Sequence, residues 1–154
     1  MARAMGLDIG DRHIGVAVSD PMGMIAIPRE VLVGYTPPEL KEYVLRLLQE
    51  GISEVVVGFP LTLSGKEGEQ ARKTREFASA LEEIEGLKVI LWDERLSSRE
   101  ATRRLREANR KPEGDRIDAQ AAAVILQSYL DAKAVRLDVE ESRERPEGED
   151  SHHL

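Results

Sequence analysis

Three carboxylates in widely separated segments, Asp8, Glu94 and Asp118, stand where a side chain could do chemistry. Asp8 lies inside an apolar run, flanked by Met5, Leu7 and Ile9, with Gly6 and Gly10 two residues away on its own side of an extended chain. A buried carboxylate has to be paired, hydrogen-bonded or placed on a cation, because burying it alone is costly. The two glycines leave room for a ligand; the competing reading is a strand-end Asp that caps a turn. Asp93 and Glu94 follow the apolar stretch LKVILW directly, at the carboxyl end of a strand, where ligands of open α/β sheets bind. Alternation sends the two to opposite faces, so only one readily shares a site with Asp8. Asp93 reads as a surface ion pair or a link to Arg95. Asp118 falls in the first turn of a helix, where the dipole favours a carboxylate whatever its role. Ala119, Ala121, Ala122 and Ala123 around it let that helix lie close to a sheet.

Such acids would form an oxygen-only site suited to Mg²⁺ or Mn²⁺. With no cysteine and three histidines, two of them at 152 and 153, nitrogen and sulfur ligands are scarce. In phosphodiester hydrolysis these ions generate a hydroxide nucleophile and neutralise charge on the scissile phosphate, so no histidine base is required. A net charge of −7 argues at first against a polyanionic partner. Its distribution changes that conclusion. Residues 131–154 carry eight acids against four bases, whereas residues 95–116 carry eight bases against four acids. Within that basic run Arg95, Arg99, Arg103, Lys111 and Arg116 are candidates to grip substrate phosphates, against the alternative of an ordinary charged helix face. The loop 58–68, GFPLTLSGKEG, stands between a strand and a helix start and reads as a substrate-side loop; it lacks the spacing of a P-loop.

The elements that must position these groups follow from pattern. MGLDIG, HIGVAVSD and IAIPREVL read as three antiparallel strands separated by Gly10-Asp11 and Pro21-Met22-Gly23. Thr36-Pro37-Pro38-Glu39 is a capping box with proline at the first helical position, opening a helix that Gly51 ends. EVVVG (54–58) is a short strand buried on both faces. A helix from about Glu69, a strand 87–92, a helix from Ser97 to about Asn109 and a last helix from about Asp115 to Lys133 follow. The order gives an α/β fold with a mixed five-stranded sheet, an antiparallel three-strand meander plus two parallel strands, flanked by helices. This is the RNase H-like arrangement. Residues 1–137 form one domain, and 138–154 read as an acidic, disordered tail. The first residues resemble neither a secretory signal nor a membrane span, so the expected location is the cytoplasm, with no membrane partner.

Four blocks, LDIGDRHIGVAVSD, VVVGFPLTLSGKEG, WDERLSSREA and RIDAQAAAVILQSYLD, resemble in order and spacing the YqgF family, whose members are assigned as Holliday junction resolvases or pre-16S rRNA nucleases. The resemblance spans about residues 5–131. It implies an RNase H-like nuclease with metal-binding acids at Asp8, Glu94 and Asp118, acting on structured nucleic acid, with RNA favoured and junction DNA the alternative. Arg12-His13 stands where the family commonly has Lys-Arg; Arg12 keeps the charge for a phosphate contact, and His13 does not. Thr62 replaces a frequent Asn, and Ser97-Ser98 two Thr. Two other classes compete. An actin-like or sugar-kinase-like ATPase shares the first motif but needs two such domains, and a non-catalytic nucleic-acid-binding or ribosome-assembly module would tolerate the acidic composition.

Overall fold

A computed structural model describes residues 3–62, 64–96 and 117–144, with the backbone alone for 117, 118 and 138–144. Strict alternation in the first segment builds β1 (Arg3–Ile9), which puts Met5, Leu7 and Ile9 on one face and Ala4, Gly6 and Asp8 on the other. It pairs antiparallel with β2 (His13–Ser19), which pairs antiparallel with β3 (Ala26–Val33). The apolar β4 (Ile52–Phe59) lies parallel to β1, and β5 (Lys88–Asp93) parallel to β4, giving the order β3-β2-β1-β4-β5. This is the expected five-stranded mixed sheet.

Two helices cover one face. α1 (Pro37–Leu48) begins with the full capping box: Glu39 N–H donates to Thr36 Oγ1 at 3.4 Å, and Thr36 N–H donates to Glu39 Oε1 at 3.0 Å. Such a cap contributes about 1 kcal/mol. Gly51, at φ +91°, turns the chain into β4. α2 (Glu69–Glu82) starts after Gly68 with no side-chain cap. Leu40 and Val44 of α1 and Phe77 and Leu81 of α2 pack on the large side chains Met5, Leu7, Val16, Val55 and Val57.

The opposite face is built of small residues. Ala4, Ala17 and Ala26 meet Ala122, Ala123 and Leu126 of α3 (Ile117–Glu144). The approach is so close at Gly6 that a Cβ there would lie 2.8 Å from both Ala122 O and Leu126 Cβ. Gln127, fully buried, accepts from Ala26 N–H at 2.9 Å and donates to Met24 O at 2.9 Å, docking the helix on β3.

Glu54, the one charge in the β4 run, pins the far half of α3. Its carboxylate accepts from Tyr129 Oη at 2.7 Å and from Lys133 Nζ at 2.6 Å. Burial pushes its pKa up, but the hydrogen bonds from Lys133 and Tyr129 outweigh burial and hold it below the usual glutamate range. A depressed folded-state pKa adds stability above the unfolded value that is lost as pH falls through the folded one. The variant Glu54→Gln is therefore expected to be less stable at neutral pH and to lose less stability on acidification from pH ~5 to ~3. Urea titrations across that range check the slope; parallel wild-type and variant curves would contradict it.

α3 departs from expectation at its end. A boundary near Lys133 follows from the last apolar stripe, yet the helix continues to Glu144, through the first seven residues expected to be a disordered tail. Glu and Arg are good helix formers with or without an apolar face. The expected helix 97–109 and residues 145–154 lie outside the described residues. Among those described, no helix is long and apolar enough to cross a membrane.

Candidate active site

Asp8 stands next to last on β1, half-buried, on the small-residue face. Its neighbours are glycines on both sides. Gly15 opposes it on β2, and on β4 Gly58 follows one step beyond the Leu7↔Val57 pair. β5 ends at Asp93, and the chain turns at once into a 3-10 turn, Glu94–Leu96. That turn carries Glu94 back over β4, and its carboxyl group hydrogen-bonds to Asp8. Gly58 is the gap it crosses: a Cβ there would be 2.9 Å from Glu94 Oε1 and 2.4 Å from Ile125 Cδ1. The pair faces an open cleft of about 290 Å³ walled by Ala121, Val124 and Ile125 of α3.

Two carboxyl groups hydrogen-bond only if one keeps a proton. Burial, then the charge and hydrogen bond of Asp8, then the charge of Asp93 push the Glu94 pKa up to about 7. Two acids brought together in an open cleft mark a place where a cation is favoured electrostatically.

Asp93 contributes only its charge and pairs elsewhere. Its carboxylate accepts from Arg95 Nε at 3.0 Å, Arg95 Nη2 at 2.7 Å and Arg95 N–H at 2.9 Å, and these bonds lower its pKa. Strand alternation had suggested the separation of Asp93 from Glu94; the turn accomplishes it, because Glu94 is already outside the strand.

The turn is tied down. Ser128 Oγ donates to Leu96 O at 3.0 Å and accepts from Trp92 Nε1 at 3.2 Å, joining both sides of Glu94 to α3. On the other flank Gln70 Nε2 donates to Ile9 O at 2.6 Å, and Lys73 Nζ donates to Asp11 O, bracing the chain just after Asp8. Neither Gly58 nor Ser128 stands out in the sequence as a site residue. The available signal for Gly58 was a glycine inside an otherwise apolar strand, which marks close approach of another group.

The other expected site residues are described only in part. Arg12 is exposed in the β1–β2 turn, and Arg95 is engaged with Asp93. Arg99, Arg103, Lys111 and Arg116 lie outside the described residues. Asp118 is in the first described turn of α3, three and seven residues before Ala121 and Ile125, so helical register puts its position on the cleft-lining face. Its side chain lies outside the described residues, and among those described no cluster of three acidic or histidine side chains forms. The loop 58–68 folds back on itself: Leu61 bridges Glu67, and Lys66 N–H donates to Thr62 Oγ1 at 3.0 Å. A Cβ on Gly65 would lie 3.7 Å from Arg95 Nη1, so the loop borders the site through Arg95.

Comparison with known proteins supplies the family and the fold. A curated protein of Halothermothrix orenii, "Putative pre-16S rRNA nuclease", is 46% identical over 131 residues, covering 83% of this chain and 94% of that protein. One of the same name from Chloroflexus aurantiacus is 41% identical over 149 residues, 95% and 96% of the two chains. Among solved structures, T. thermophilus RuvC in complex with Holliday junction substrate matches with a TM-score of 0.59 at 17% identity, over 87% of this chain and 96% of that one. At that identity the likeness speaks for the fold, which is RNase H-like. The model of the RuvX family, described as Holliday junction resolvase, matches residues 2–132, and the chain therefore belongs to this family, RuvX/YqgF, of nucleases.

Proposed function

We propose that the chain hydrolyses phosphodiester bonds in structured nucleic acid, with Mg²⁺ or Mn²⁺ held by Asp8, Glu94 and Asp118, and that it trims the 5′ end of the 16S rRNA precursor in the cytoplasm. The observation that carries this reading is that Asp8 and Glu94, from separate segments, line one open cleft together. Its donor set fits a hard cation, since both groups are oxygen acids and a divalent ion would take the place of the proton. When bound, the ion supplies an activated water and neutralises charge on the phosphate. The chain itself holds and aims the carboxylates: Gly58 lets Glu94 across, Ser128 fixes the turn, and the apolar wall of α3 keeps bulk water from one side of the cleft. Arg12, exposed in the β1–β2 turn that follows Asp8, would supply a positive charge to a substrate phosphate. RNA is favoured over DNA by the names of the curated relatives. A junction resolvase is the second reading, favoured by the description of the family model.

The purified protein is expected to cleave a precursor 16S 5′-flank transcript only with Mg²⁺ or Mn²⁺, and four-way DNA junctions more slowly. Faster junction cleavage would transfer the assignment to the second reading. Salt-sensitive RNA binding without cleavage of either substrate, in any divalent metal, would make it a non-catalytic module.

A further inference from the structure

Another cavity, of about 130 Å³, opens on the same face of the sheet as the Asp8–Glu94 cleft, between β5 and the later turns of α3. Trp92 and Tyr129 line it, packed edge to face with ring centroids 5.5 Å apart. The Trp92 N–H is satisfied by Ser128, so its polar atom is occupied while the half-buried ring still borders the cavity. Lys88, Lys133 and Arg136 surround these rings. Tyr129, Lys133 and Arg136 are spaced four and then three residues apart, one stripe of the helix. Lys133 is committed to Glu54; among the described residues Lys88 and Arg136 are in no ion pair. In a chain of net charge −7, these two cations and the half-buried Trp92 ring border one cavity.

The cavity is also in line with the active site. Trp92 precedes Glu94 by two residues, and Tyr129 is one turn of α3 beyond Ile125 of the cleft wall, about 6 Å along the axis. Arg136 is about 16 Å beyond Ile125 on the same scale. A strand with one phosphate at Asp8 and Glu94 would bring its next few nucleotides over these rings.

We propose that this cavity binds the single-stranded flank of the substrate, with a base stacked on Trp92 and backbone phosphates on Lys88 and Arg136. Aromatic platforms bordered by cations hold single strands in this way with little sequence preference. The inference rests on the reading of the cleft as a nuclease site, and its test separates the two.

Trp92 is the only tryptophan, so tryptophan emission comes from a single ring that borders the cavity. The full chain, kept in EDTA to prevent cleavage, is titrated with a short oligouridylate while anisotropy of a labelled copy follows total binding. Trp92 quenching should track saturation. The double variant Lys88→Gln/Arg136→Gln, which alters exposed positions, should bind about 25-fold more weakly at 0.1 M salt, with a salt slope lower by about 1.4. Saturation with unchanged Trp92 emission, wild-type affinity and slope in the double variant, or no binding of the oligonucleotide would each overturn the proposal. Cleavage of the folded precursor is scored separately with metal. Cleavage with a silent Trp92 refutes the flank site and leaves the nuclease reading intact; quenching without cleavage refutes the nuclease reading and, with it, the assignment of the bound strand as a substrate flank.

Discussion

Asp8→Asn is expected to lower metal-dependent cleavage by on the order of 10³-fold, about 4 kcal/mol, while making the metal-free protein more stable. The two effects have one origin. In the absence of a cation, Asp8 and Glu94 are brought together against their repulsion, and the Glu94 pKa rises to about 7 from its usual 4.5. A raised folded-state pKa means that the native protein keeps a proton the unfolded chain gives up. The associated stability is fully present below pH ~4.5 and is lost as pH climbs through ~7. At pH 8 the wild type thus bears the full repulsion. Because the pair is partly open to water, screening leaves a cost on the order of 1 kcal/mol. Asn at position 8 removes it. Glu94→Gln should behave alike in both respects.

Urea unfolding in EDTA at pH 6 and pH 8, paired with cleavage assays, measures both quantities. The gain in stability should be larger at the higher pH, and added Mg²⁺ should stabilise the wild type more than either variant by linkage. Full activity in either variant would remove that acid from the mechanism. Lower stability of the metal-free variants at pH 8 would mean that the pair is held together by something other than a shared proton.

The second large effect is expected at a residue with no side chain. Gly58→Ala should reduce kcat by about 10²-fold with a loss of stability near 1 kcal/mol, because misplacing a catalytic group by about an ångström has consequences of that size. The added methyl would meet the flexible end of Ile125, which can turn aside, and Glu94 Oε1, which must move off Asp8 to make room. Gly58→Val should add unfolding, about 2–3 kcal/mol, since a branched side chain also crowds α3. Gly6→Ala provides the contrast: its Cβ would press on the Ala122 carbonyl and Leu126 Cβ, lifting the helix without touching Glu94. Stability should fall there by about 1–3 kcal/mol, with a smaller change in kcat among the molecules that fold. If Gly58→Ala retained wild-type kcat, the route of Glu94 over β4 would not matter to the chemistry.

The strands and the first two helices were readable because each carries its own local signal: alternation in β1 and β2, an apolar run in β4, a capping box before α1. Asp8 was readable for the same reason, as a charge where the pattern called for an apolar or small residue. The end of α3 was not. Apolar periodicity reports which residues face the core, so it stops where the core stops, while helix propensity continues through Glu140, Glu141, Arg143 and Glu144. The manner in which Glu94 reaches Asp8 was equally hidden, because strand alternation says nothing of a chain that leaves the strand at Asp93 and turns. Gly58 looked like the start of a loop and Ser128 like one more small residue on a helical stripe. Their roles are set by contacts with Glu94, Ile125 and Leu96, far away in sequence.

β4 contributes no reacting atom, yet its three positions toward α3 each set a different property of the site. Glu54 clamps the helix at one end, Val56 packs beneath it, and Gly58 opens the passage for Glu94. On the proposed site, a relative that retained Asp8 and Glu94 but carried a side chain at the Gly58 position is expected to keep its acids and lose most of its rate. The missing methyl is then a residue to inspect beside the acids when activities within the family are compared.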